Sequence, residues 1–267
     1  RDGSSILPAV QKLLQLAYSE DPDKQLEAVM GISKMIERGR HVNGSSFGPL
    51  CHTLSRLAAS DQRAIVAYAA RGIKILVLDD TLRSQATVAG IPSVLAAALR
   101  EWEDDTPCLR EVLGALQTLC YDHATVLAVV NAGVLGPVLE LLDSTDLELR
   151  ILATATAANV LAYSDSLLLT NKECIDAFSD CMESLLNAVK SGEGVTRGYG
   201  LAALANACAH PVLAGRAKEL GALELLRICL DRPVDFHVGR FQQTKTAFAR
   251  LNGIGPGAGD LEEGGDA

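Results

Sequence analysis

Three asparagines, Asn159, Asn206 and Asn252, fall 47 and 46 residues apart, each closing a run of small and apolar residues. A carboxamide holds both a donor and an acceptor, so it can grip a peptide bond without reading a side chain. Its plainer use is to satisfy backbone groups between packed helices. Tyr163 and His210 follow the first two asparagines by four residues, and Arg150 and Arg197 precede them by nine. Tyr and Arg are good anchors at protein interfaces. The plainer use of these arginines is pairing with Glu148, Glu193 or a neighbouring repeat. Arg150, Tyr163, Arg197 and Tyr199 also form the only concentrated Arg and aromatic set, which is what a nucleotide-sized ligand would need.

Other chemistry finds little support. The five histidines, at 41, 52, 123, 210 and 237, are spread out with no HExxH spacing, so no metal site is expected. Ser45 and Ser46 lack a G-x-S-x-G context. Gly253, Gly255, Gly257 and Gly259 mimic a phosphate loop, but with no strand before them or helix after them. The run Glu101-Trp102-Glu103-Asp104-Asp105 reads as a solvated face able to attract a basic tail. No nucleophile–base pair can be placed, so we expect neither an enzyme nor a cofactor.

The elements that position these residues follow from a period. Aligning the chain six residues before the asparagines puts Gly31, Gly72, Gly114, Ala153, Gly200 and Thr246 in one column, at spacings of 41, 42, 39, 47 and 46. A second column holds Gly90, Gly133 and Gly221, 43 and 88 residues apart, each followed by apolar residues. Two registers agreeing near 43 residues mean stacked helical repeats. Recurrent glycine inside helical context costs stability, and the expected reason is close approach where one helix breaks into the next. Within each unit a short apolar helix precedes a longer element: 6–18 before one opened by Asp21-Pro22, 47–59 before one capped by Ser60-Asp61, and 174–190 before one opening at Gly192. Thr145–Ser164 reads as two linked amphipathic helices. Gly39 after Arg38 reads as a helix stop.

Composition sets bounds. The 267 residues are 48% hydrophobic and 4% aromatic, so the core must be Leu, Val, Ile and Ala. The net charge of −9 and pI near 5.1 argue against nucleic acid and anionic lipid, and permit a basic partner. Seven cysteines with no CxxC read as free buried thiols of a reducing compartment. No apolar run reaches the length of a membrane span. The chain opens at Arg1, which leads us to expect a missing leader, with any targeting or acylation motif it carried. Residues 1–5 are expected to fray, and the Gly-rich acidic 256–267 to be a flexible tail.

Residues 131–142, NAGVLGPVLELL, with Ala158-Asn159-Val160-Leu161-Ala162, and Gly221–Leu226 carry a resemblance to the armadillo repeat, covering roughly 6–255. The resemblance implies an all-α fold, a right-handed α-α superhelix or solenoid of about six repeats, whose third helices line a concave groove. It implies that Asn159, Asn206 and Asn252 hold the backbone of an extended peptide there. Earlier repeats place Glu37, Leu78 and Cys120 in that column, which confines the ladder to the C-terminal half. Import receptors of the family carry Trp four residues before the Asn; here stand Ala155, Ala202 and Phe248, so that role is not implied. The expected function is a non-enzymatic protein–protein adaptor and scaffold, a monomer in the cytoplasm. Short members of the family, tethered by a lipidated leader to the cytosolic face of a membrane, link organelles to motors or regulators. The alternatives are a regulatory domain of a larger enzyme holding a small ligand, and a cargo receptor for basic segments.

Overall fold

The computed structural model describes residues 8–39, 44–163, 171–190, 194–231 and 238–253. All the regular structure among them is helical, in six successive groups. The first two groups are pairs: α1 (Pro8–Ala17) with α2 (Pro22–Glu37), and α3 (Gly44–Ala58) with α4 (Arg63–Leu76). Triplets follow, starting with α5 (Asp80–Val88), α6 (Ile91–Glu101) and α7 (Thr106–Leu119). The next is α8 (His123–Asn131), α9 (Leu135–Glu140, with a 3-10 turn over Leu141–Asp143) and α10 (Leu147–Leu161). The last two are α11 (Lys172–Asp180), α12 (Met182–Lys190) and α13 (Gly194–Ala207), then α14 (Pro211–Glu219), α15 (Ala222–Asp231) and α16 (Val238–Leu251). The sixteen helices among the described residues run from Pro8 to Leu251. The ends expected to be loose, 1–5 and 256–267, lie outside the described residues.

Carboxylates and one amide cap six of the sixteen described helices. Asp21, Asp79, Asp105, Asp122, Asp146 and Asn171 each accept a first-turn backbone N–H, at 2.9 to 3.1 Å. Such a cap is worth about 1 kcal/mol. The cap expected at Ser60-Asp61 falls elsewhere: Gln62 occupies the position without a side-chain bond, and Ser60 Oγ accepts its N–H at 3.1 Å. The stretch expected to be two helices is one, α10. Its small residues, Ala153 to Ala158, are all buried and pack without a break.

The chain divides into two compact units, Arg1–Pro137 and Val138–Ala267. In the first, α2, α4 and α7 pack in succession, with α1, α3 and α6 laid against them. In the second, α10, α13 and α16 do the same, backed by α12 and α15. Both cores are aliphatic, with Leu54, Ile65, Ile73 and Leu113 in one and Leu185, Leu201 and Leu226 in the other, all at most 1% exposed. Each contributes about 1.5–3 kcal/mol of burial free energy. Among the described residues no single helix is long and apolar enough to cross a membrane.

The two glycine columns have different causes. Gly90, Gly133 and Gly221 turn the first helix of a triplet into the second, at φ of +82°, +75° and +82°. A β-carbon is disfavoured in that left-handed region. The other column does not mark a helix break, as was expected. Gly31, Gly72, Gly114 and Gly200 lie within continuous third helices. The close approach is lateral: a β-carbon on Gly200 would stand 3.2 Å from the backbone nitrogen of Val189 in α12.

Candidate functional site

The face of the second unit that could hold a partner is a stripe down its third helices. In α13 the stripe is Val195, Tyr199, Ala202 and Asn206, the first exposed and the others half-buried, with Ala202 and Asn206 each set between buried neighbours. The spacing i, i+4, i+7, i+11 is one face of a helix. The equivalent positions of α10 are Glu148, Leu152, Ala155 and Asn159, and α16 adds Lys245 and Phe248. Ala155 is 2% exposed; its small side chain leaves the stripe shallow there.

The asparagines differ in what they do. Asn206 Nδ2 donates to the carbonyl of Ala158 in α10 at 3.2 Å, cross-linking two third helices. Asn252 lies just past α16, exposed, and its Nδ2 donates to Phe248 O of its own helix at 2.9 Å. Its backbone N–H accompanies that bond, so Asn252 finishes the helix before Gly253 turns at φ +74°. Asn159 lies half-buried in the last turn of α10.

The arginines serve backbone carbonyls. Arg150 Nη1 donates to Ser144 O at 2.6 Å, and Arg197 Nε donates to Val189 O at 3.1 Å, in the last turn of α12. Guanidinium donors suit carbonyls that a helix leaves unsatisfied at its end. Neither bond is the pairing with Glu148 or Glu193 weighed from sequence; Glu193 lies outside the described residues. Sequence reasoning missed Arg250, which donates to Ala205 O of the preceding third helix. Its position two residues before Asn252 was the available signal.

Tyr163 and His210 do not extend the stripe. Tyr163 follows the end of α10, its N–H on Val160 O at 3.2 Å. His210 is the N-cap of α14, with Pro211 behind it at the first helical position. Proline there cannot continue α13, so the column turns a corner. His210 Nδ1 is buried without a hydrogen-bond partner. Of the set Arg150, Tyr163, Arg197 and Tyr199, the two arginines are each engaged with a backbone carbonyl, and Arg150 and Tyr163 belong to opposite ends of α10, thirteen residues apart.

In the first unit the same face is closed by ion pairs. Arg71 Nε of α4 meets Glu37 Oε1 of α2 at 2.5 Å, and Lys74 Nζ meets Glu111 Oε2 of α7 at 2.6 Å. Glu37, in the asparagine column, therefore also links third helices. Among the described residues no group of three or more His, Cys, Asp or Glu could hold a metal ion. All seven cysteines are free thiols. Burial pushes Cys51 up to about 11, and Cys108, Cys120, Cys181 and Cys208 up to about 12, so they are poor nucleophiles.

No protein-family model matches the chain, and no curated protein matches it. Solved structures do. An engineered protein is 22% identical, with a TM-score of 0.77 over 93% of this chain and 98% of its own. A designed armadillo repeat protein is 18% identical, with a TM-score of 0.76 over 91% of this chain and 100% of its own. A second designed armadillo repeat protein, in complex with the peptide (KR)4, is 17% identical, with a TM-score of 0.73 over 92% of this chain and 100% of its own. The chain therefore has an armadillo-like fold, an all-α repeat superhelix.

Proposed function

We propose that the chain is a non-enzymatic adaptor that holds an extended, largely uncharged segment of a partner protein on the third-helix face of its second unit. The observation that carries this reading is the stripe Val195, Tyr199, Ala202 and Asn206, a mixed apolar and amide surface with one aromatic anchor. An amide-bearing groove takes main-chain groups of either polarity, and a partly buried Tyr is a frequent hot spot. The armadillo-like fold supports it, since one structural neighbour is in complex with a peptide.

That neighbour's peptide is basic, and this chain's charge of −9 permits a basic partner. The local charges favour a neutral one. Glu37 and Glu111 in the first unit are already neutralised by Arg71 and Lys74, and Lys245 lies in the last third helix of the second. The test is selection of binders from a random peptide library, followed by titration at 50 and 500 mM salt. The selected peptides should lack Lys and Arg enrichment and vary less than about threefold in affinity with salt. Tyr199→Ala should weaken them about tenfold or more, while Val212→Glu, on an exposed position of α14, should not. Peptides indifferent to Tyr199→Ala and Ala202→Glu would sink the assignment to this face. Lys-rich peptides with steep salt dependence would replace the neutral partner with a basic one.

A further inference from the structure

Asn252 and Gly253 finish the last third helix with a pair of residues that can react with each other. A peptide nitrogen can attack the side-chain carbonyl carbon of the asparagine before it, and a β-carbon on the attacking residue obstructs that approach. Of the asparagines among the described residues, at 131, 159, 171, 187, 206 and 252, Asn252 alone is followed by glycine. Asn159 is followed by Val160 within α10, and Asn206 by Ala207 within α13. There both the neighbouring β-carbon and the helical backbone keep nitrogen and carbonyl apart.

Asn252 and Gly253 lie past the end of α16, and both are exposed. A β-carbon built on Gly253 would meet nothing within 4 Å, so the space around the pair is open to water. Two bonds hold the pair. Asn252 Nδ2 donates to Phe248 O at 2.9 Å, and Gly253 N–H donates to Arg250 O at 3.1 Å. Bonds at an exposed helix end open at little cost. Opening these two frees the amide and the nucleophile together. Gly253, at φ +74°, can then move between backbone regions without a side chain to hinder it.

We propose that Asn252 is a site of spontaneous deamidation, with water as the co-reactant. The Gly253 nitrogen gives its proton to solvent base and bonds to Cγ of Asn252. The Cγ–Nδ2 bond breaks, and the amide nitrogen takes a proton from water and leaves as ammonia. The five-membered imide then takes up one water. Opening at Cγ gives an aspartyl residue. Opening at the main-chain carbonyl carbon gives an isoaspartyl residue, in which the chain runs through the side chain. In sum one water enters, one ammonia leaves, and nothing is oxidised or reduced. Either product sets a carboxylate at the negative end of α16, where a donor had faced Phe248 O. The helix end loses its side-chain cap irreversibly, and the last asparagine of the column becomes an anion. The inference does not depend on whether the Tyr199 stripe holds a peptide.

The test is incubation of the folded full chain at 37 °C, at pH 6.5 and 8.5, followed by tryptic mass spectrometry. Asn252 is the sole asparagine of tryptic peptide 251–267, Asn206 that of 198–216, and the Asn43-Gly44 pair falls in 41–56, so each site is read separately. Peptide 251–267 should convert from amide to acid and resolve into two products. Conversion should be faster at pH 8.5, because the attacking nitrogen must lose its proton. It should be at least about tenfold faster than in 198–216, since α13 opens far less often than the end of α16. Asn252→Gln would have to close a six-membered ring and should leave 251–267 unconverted. Conversion no faster than in 198–216, a rate indifferent to pH, or a single product would each overturn the site. So would a folded chain that stays unconverted while the same chain in urea converts, because the two end bonds would then hold the pair shut.

Discussion

The side-chain amide of Asn206 donates to the backbone carbonyl of Ala158, 48 residues earlier in the chain and one third helix away. That carbonyl also receives the N–H of Ala162 at 3.0 Å, so both of its lone pairs are used. The bond occupies one of two amide hydrogens, leaving Asn206 able to contribute to the surface while it fixes the stacking of α13 on α10. In the first unit the corresponding position is Glu37, and the link is an ion pair with Arg71. A shared position thus ties third helices together by two chemistries.

Removing the amide should therefore cost stability even without a partner. Asn206→Ala should lower the unfolding free energy by about 1 kcal/mol, the worth of one net hydrogen bond. Asn206→Asp should cost more, because it sets an acceptor against a carbonyl. Asn252→Ala should cost less than about 0.5 kcal/mol, since its bond is exposed and lies within its own helix end. Urea midpoints at constant m-value measure all three. A silent Asn206→Ala would remove the structural part of this assignment.

The repeat frame was legible because its signals are local. Gly90, Gly133 and Gly221 are needed by a turn a few residues long, and Asp21, Asp105 and Asp146 cap helices that begin beside them. What escaped depends on partners far along the chain. Nothing in the residues around Asn206 points to Ala158, and nothing around Arg250 points to Ala205. Tyr163 and His210 looked equivalent at four residues past an asparagine, yet Pro211 turns the chain there.

The third-helix glycines separate a rigid neighbour from a yielding one. At Gly200 a β-carbon would meet Val189 N at 3.2 Å and Ala188 C at 3.3 Å, both backbone atoms. At Gly114 it would meet Lys74 Cδ at 2.9 Å, near the far end of a flexible side chain. Alanine gains about 1 kcal/mol of helix propensity at either site, and overpacking costs about 1–3 kcal/mol where nothing can give. Gly200→Ala should thus be destabilising by about 1–2 kcal/mol, and Gly114→Ala should stay within about 0.5 kcal/mol of wild type. Equal thermal shifts would mean that the close approach is not what keeps the glycine.

Arg83 is the most deeply enclosed cation among the described ion pairs, its side chain 4% exposed. Its guanidinium donates to Val77 O at 3.0 Å and Leu78 O at 3.3 Å, where α4 ends, and to Asp80 and to the α8 cap Asp122. It therefore joins two successive groups of helices in the first unit. Arg83→Met keeps the stem and removes every donor, leaving buried carbonyls unpaired. The expected loss is about 2–4 kcal/mol, below the top of the range for broken buried pairs because Asp122 remains partly solvated. A double-mutant cycle with Asp122→Asn should show coupling of about 1 kcal/mol or more. An additive cycle would show that the two carbonyls, not the ion pair, hold the joint.

The buried thiols give the fold an alkaline limit. Cys120 is 1% exposed, and burial foremost, then the Asp122 carboxylate, pushes its thiol up to about 12. In the unfolded chain a thiol ionises near 8.5. The native state therefore holds a proton that the unfolded state releases above that pH. The stabilisation is complete below about pH 8.5 and declines as pH rises toward 12, by up to about 1.4 kcal/mol per unit for each such group. Unfolding free energies at pH 7.5, 9.0 and 10.5 should fall progressively. Cys120→Ala should flatten that fall at the cost of a small cavity. If Cys120→Ala and wild type lose stability in parallel, this thiol ionises in the folded state as readily as in the unfolded one, and its burial does not set the limit.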